Sequence, residues 1–133
     1  MSHRKISAAL STHLSTMVGI PSVAWENAPF EPVSGAIYLA ESYLPATTGP
    51  VGIADDSSDQ FVGVYQVSVF ARSDMYKLDA HTLADSVIEH FARGSTVLYE
   101  GQAVRIESSS IAPAQLDGDR FIIPISINWR SFA

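Results

Sequence analysis

A chain of 133 residues, 47% hydrophobic and 17% charged, is long enough for one domain with a real core and is sparing of charge for its size. A net charge of −6 excludes a nucleic-acid binder that works through clustered Lys and Arg, and the absence of cysteine excludes disulfides, thiolate catalysis and cysteine-based zinc sites. The same absence fits a reducing cytoplasm, and no stretch is apolar for long enough to form a signal-peptide block or to cross a membrane.

Ile6, Leu10, Leu14 and Met17 recur at helical spacing, and Gly19 and Pro21 supply a stop, which predicts a first helix over about residues 3–18. Its apolar stripe is narrow, as for a helix lying on a sheet. "SVAWEN" is a short strand, "NAPFEP" a loop set by two prolines, and "GAIYLAESYLP" a longer strand closed by Pro45. In the longer strand Ile37, Leu39, Glu41 and Tyr43 share one face, and Ala36, Tyr38, Ala40, Ser42 and Leu44 share the other. Both faces are largely apolar. A sheet covered on one side by helices does not require that, so one face is expected to meet another molecule. Residues 46–60, "ATTGPVGIADDSSDQ", show no period and read as a long loop that orders on contact with a partner.

Gln60 to Ala71 alternates most clearly, with Phe61, Tyr65, Val67, Val69 and Ala71 on one side, and is expected as a central strand. A second helix follows, marked by Ala80, Leu83, Ala84, Val87, Ile88 and Phe91 and capped at Gly94. "TVLYEGQAVRI" reads as a β-hairpin turning at Glu100-Gly101, "ESSSIAPAQLDGD" as a loop, and "RFIIPISINWRSF" as a final strand in which Pro124 implies a bulge or an edge position. Helix, three strands, helix, three strands is the order of a single α+β domain spanning 1–133: an antiparallel sheet of mixed strand lengths, two helices packed on one face, and a protruding hairpin.

Chemistry has few places to reside. Asp55, Asp56 and Asp59 lie close together in the 46–60 loop but lack the bidentate Glu and fixed Gly of a calcium loop, so a solvated acidic loop is the better account. His3, His13, His81 and His90 form no metal-binding pair on one helix face. A small ligand-binding or catalytic α+β dimer, with His81, Asp79 and Asp85 lining a pocket, stays as one alternative, although no nucleophile elbow, phosphate loop or dinucleotide fingerprint accompanies it. No metal, no cofactor and no enzymatic activity are expected.

Taken in order, "VAWENAPFEP", "YLAESYLPA", "GVYQVSVFA", "VIEHFARGSTVLYEGQAVRI" and "IPISINWR" resemble the tail-terminator-like proteins of tailed bacteriophages and prophages, over nearly the whole chain. The resemblance implies a six-membered homo-oligomeric ring in the virion, assembled in the bacterial host cytoplasm. Such a ring caps the finished tail tube, ends tube polymerisation and presents a surface to the head-tail connector proteins, while DNA passes through its lumen without specific binding. Another phage neck or head-completion ring protein is the nearest alternative. A ring needs two different complementary patches on each subunit. Trp25, Phe30, Tyr38 and Tyr43 are the expected anchors of one, and the second helix with Tyr99 of the hairpin forms the other. The loop carrying Asp55, Asp56 and Asp59 and the tip at Glu100 and Gly101 are the expected contacts to tube or connector.

Overall fold

The computed structural model describes residues 3–26, 30, 37–45, 49–50, 59–72, 77–117 and 120–132. In chain order the elements are α1 (His3–Ser15), β1 (Ser22–Ala24), β2 (Tyr38–Pro45), β3 (Gly49–Pro50), β4 (Asp59–Arg72), α2 (Lys77–His90), β5 (Thr96–Tyr99), β6 (Gln102–Ile111), β7 (Gln115–Asp117) and β8 (Arg120–Phe132). The strands form one mixed sheet in the order β1-β2-β4-β8-β6-β5, with β3 paired to β4 and β7 paired to β8. The fold is α+β, with two helices.

The spine is β4 against β8, paired in unbroken antiparallel register from Gln60↔Phe132 to Arg72↔Arg120. The sequence predicts both strands almost to the residue, because alternation over so long a run is hard to imitate by chance. Their inward residues, among them Tyr65, Val67, Val69, Ile123, Ile125, Ile127 and Trp129, join one core cluster with Ile6, Leu10 and Leu14 of α1 and Ala80, Ala84 and Val87 of α2. Helix α1 contacts β2, β5 and β6, and α2 contacts β4, β6 and β8.

Helix α1 stops at Ser15, short of the expected end. The following turn tightens through Thr16 N–H to His13 O and Met17 N–H to Leu14 O, and Gly19 leaves it at φ 74°, a left-handed conformation that glycine adopts at no steric cost. Two other departures have clear causes. Strand β1 runs parallel to β2, the sole parallel pair among the described strands, because the stretch 25–37 between them has roughly the dozen residues a parallel return requires. The serine-rich segment 107–111, expected as loop, continues β6: Ser108 to Ile111 pair with Asn128 to Ile125, and Asn128 Nδ2 donates to Ser108 Oγ over 2.8 Å. A long neighbouring strand overrides weak local propensity.

Pro124 sits in a strand flanked on both sides, yet it is locally at an edge. The β6 ladder ends at Ile111↔Ile125 and the β7 ladder begins at Gln115↔Ile122, so Pro124 faces the break between them, where its carbonyl accepts Ala112 N–H at 2.9 Å. In an extended strand the N–H and C=O of one residue point to the same side. The missing donor of proline therefore falls in the gap, and pairing with Ser68 on the β4 side is undisturbed. Of the expected loops, residues 27–29, 31–32, 46–48, 51–58 and 118–119, with Asp55 and Asp56 among them, lie outside the described residues; Gly49–Pro50 pair with Gln60 and Asp59.

Candidate interaction surface

Pleating divides the sheet into a buried face and an outer face. The register lays out the outer face as cross-strand rows: Tyr38-Phe70-Ile122, then Ala40-Ser68-Pro124, Ser42-Gln66-Ser126-Ser110, Leu44-Val64-Asn128-Ser108, and finally Val62-Arg130-Arg105. Aromatic and apolar side chains occupy one end, small polar ones the middle, and aliphatic and charged ones the other end. Most are half-buried, neither core nor freely solvated.

At the aromatic end the Tyr38 and Phe70 rings stack 4.8 Å apart and within 6° of parallel, Phe30 tilts against Tyr38 at 5.0 Å, and the Arg120 guanidinium lies 5.2 Å from the Tyr38 ring centre. Such a stack is rigid and presents both an apolar body and a cation, the chemistry enriched at protein interfaces. At the opposite end a β-bulge does the positioning. The register slips between Ile106 and Ser108, which leaves Glu107 unpaired with any residue of β8. Its carboxylate is closed on the Arg130 guanidinium, with Arg105 Nε 3.9 Å away. Glu107 and Arg130, with Val62, Gly63, Val64, Asn128 and Trp129, line an open cleft of about 470 Å³. An ion pair beside an aliphatic floor suits a protein side chain from a partner, and the cleft brings together no nucleophile and base.

The residues expected at an interface separate by face. Phe30 and Tyr38 belong to the outer aromatic row. Trp25, Tyr43 and Tyr99 pack against the core instead. Tyr43 stacks on Trp129 at 5.6 Å, its hydroxyl meets His3 Nδ1 at 2.8 Å, and burial raises its pKa to about 12. The Glu100-Gly101 turn has φ of 47° and 82°, both left-handed, as a two-residue hairpin turn demands. Arg4 pairs with the Glu100 carboxylate at 3.3 Å and Lys5 Nζ donates to its carbonyl at 3.4 Å, which ties the turn to α1. Asp59 is described only through its backbone pairing with Pro50.

On α2 the carboxylates of Asp79, Asp85 and Glu89 are exposed, and none of the ion pairs found among the described residues uses them. Asp79 lines a second open cleft of about 420 Å³ with Ile37, Leu83 and Ser86, but neither His81 nor Asp85 joins it there. No group of three or more His, Asp or Glu among the described residues is placed to hold a metal ion.

Two arrangements escaped the sequence. His13 and His90 stack 4.1 Å apart at the C-terminal ends of α1 and α2, and each Nε2–H donates to the other residue's backbone carbonyl, at 2.7 and 2.5 Å. The clasp gives the His90 carbonyl a donor at the end of α2, and adds one to the His13 carbonyl, which also accepts Thr16 N–H. The pKa of His13 is lowered, chiefly by burial and further by His90, against the raising effect of the carbonyl bond. The second is a carboxylate on the core face: Glu41 Oε1 accepts Tyr65 O–H at 2.5 Å and Ser11 O–H at 2.7 Å, and Oε2 accepts Glu26 N–H at 3.1 Å. The alternation that placed Glu41 beside Leu39 and Tyr43 was its one visible signal.

The sequence profile of the phage tail terminator protein family matches residues 5–129. The chain belongs to that family. Its members are structural proteins, not enzymes, and the terminator chain is accordingly a phage tail structural component. A solved structure without a descriptive name is 26% identical, with a TM-score of 0.75 over 98% of this chain and 96% of that one. A chain from the virion of a native gene transfer agent particle is 16% identical, with a TM-score of 0.62 over the same shares, and shows the same fold. A search of curated proteins finds no match.

Proposed function

We propose that the chain closes into a homohexameric ring on the end of a finished phage tail tube, stops further addition of tube subunits and offers its head-side surface to connector proteins. The observation that supports this reading best is a sheet face rich in apolar side chains in a chain of the tail terminator family. In the ring both helices lie together on the buried face and the β5–β6 hairpin, its turn tied to α1, faces a neighbour. The outer sheet face, with Tyr38 and Phe70 at one end and Arg105 and Arg130 at the other, receives the acidic stripe Asp79, Asp85 and Glu89 of the next subunit's α2. Such a head-to-tail contact repeats until the rotation closes. A net charge of −6 per subunit keeps the lumen from holding DNA phosphates.

Native mass measurement gives the ring directly, and electron micrographs of tails made without the protein show overlong or unfinished tubes. The charge pairing is tested separately. Arg105→Glu with Arg130→Glu disperses the ring, and Asp85→Arg with Glu89→Arg in the same chain recovers part of it. A ring untouched by the first pair of changes places the contact elsewhere.

A further inference from the structure

The sheet has an edge that the chain closes with side chains. Beyond Ala40, the last residue paired with β1, no strand among the described residues covers that side of β2. An uncovered strand edge offers a row of N–H and C=O groups to any extended segment, including another copy of itself. In an extended strand successive residues address opposite sides, and the β4 ladder occupies one of them. On the uncovered side, past the β1 ladder, the next groups are those of Tyr43 and Pro45. Tyr43 N–H is taken by Glu26 Oε1 at 3.0 Å, and Pro45 has no N–H. The remaining donors of that edge are thus one occupied and one absent.

We infer that Glu26 is an edge guard, a residue whose carboxylate occupies the Tyr43 amide so that β2 cannot pair with a strand of a second copy. Its position is set with care. Glu26 N–H donates to Glu41 Oε2, and Glu41 is fixed in turn by Ser11 and Tyr65 through Oε1, so α1, the end of β1, β2 and β4 all bear on one carboxylate. Glu41 acts here as a positioning residue. The guard also sets a negative charge at the edge, which an approaching strand would have to desolvate. Association of copies through the outer face is unaffected, so the inference does not depend on the ring reading.

The test compares the full-length wild type with Glu26→Gln, which keeps an acceptor oxygen, and Glu26→Ala, which keeps none. In the wild type the Tyr43 amide exchanges with deuterium slowly. In Glu26→Ala it exchanges roughly tenfold faster, the worth of one hydrogen bond to a charged acceptor, and the protein sediments as species at least twice the wild-type mass with added β-sheet signal in the infrared. Glu26→Gln stays at the wild-type size. Fast exchange of the Tyr43 amide in the wild type overturns the inference without any variant having to fold. So does a folded Glu26→Ala chain that keeps the wild-type mass at every concentration.

Discussion

Removing the Tyr65 hydroxyl isolates the energetic value of its bond to the half-buried Glu41 carboxylate. Tyr65 is 1% exposed, and its hydroxyl is the closest donor to Glu41 Oε1 at 2.5 Å. Burial first, and then the bond to Glu41, hold the phenol far above its usual pKa, so it remains a donor at every accessible pH. A hydrogen bond to a charged group contributes about 1.5–3 kcal/mol, and Ser11 stays at 2.7 Å to shield the same oxygen, so Tyr65→Phe costs about 2 kcal/mol. An unfolding entropy near 2.1 cal/mol/K per residue over 133 residues converts that to a loss of about 7 °C in Tm. The assay is thermal unfolding followed by circular dichroism, with a cycle through Ser11→Ala and the double variant. Because the two donors share one oxygen, the double change should cost more than the sum of the single ones. A Tyr65→Phe protein melting within about 2 °C of the wild type would refute the claim that the Tyr65–Glu41 hydrogen bond stabilises the fold.

Gly63→Ala should destabilise by about 1–3 kcal/mol, read as a lower urea midpoint, because a Cβ there meets Leu44 O at 2.7 Å, Trp129 Cζ2 at 2.8 Å and Pro45 Cα at 3.0 Å, and two of those atoms are backbone. An unchanged midpoint would mean that β2 stands farther from β4 than it does here. The His13–His90 clasp predicts a pH dependence. Since the His13 pKa is lowered on folding, the unfolded chain takes up the proton first as pH falls through about 6.5, and stability is lost below that point and not above it. His13→Gln should flatten the fall in urea midpoint between about pH 7.5 and 5.5, and an identical slope in both proteins would assign the dependence to other groups.

Much of this fold was legible. The long strands β4 and β8 announce themselves by strict alternation, and α2 by Ala80, Ala84, Val87 and Phe91, all of which are buried. What could not be read is whatever depends on a distant partner. Segment 107–111 looks like a loop until β8 is placed beside it, and the clasp joins histidines 77 positions apart that share no sequence pattern. The orientation of β1 was hidden for the same reason, since a three-residue strand carries no record of its direction.

The candidate surface was legible in part, through the alternation along β2. Trp25, Phe30, Tyr38 and Tyr43 are close in sequence, but alternation along an extended strand sends neighbours to opposite faces. Tyr38 and Tyr43 stand an odd number of positions apart in β2, so they cannot share a face: Tyr38 stacks on Phe70 outside, and Tyr43 on Trp129 within. Parity, applied across β2, β4 and β8, gathers a patch from three strands, with Tyr38, Phe70 and Ile122 at one end and Val62, Val64 and Arg130 at the other. This is the surface on which assembly would act. The edge beside it obeys a separate constraint. Assembly through the faces, as proposed, requires that strand edges not pair as well, and Glu26 and Pro45 sit at the β2 edge where such pairing would begin.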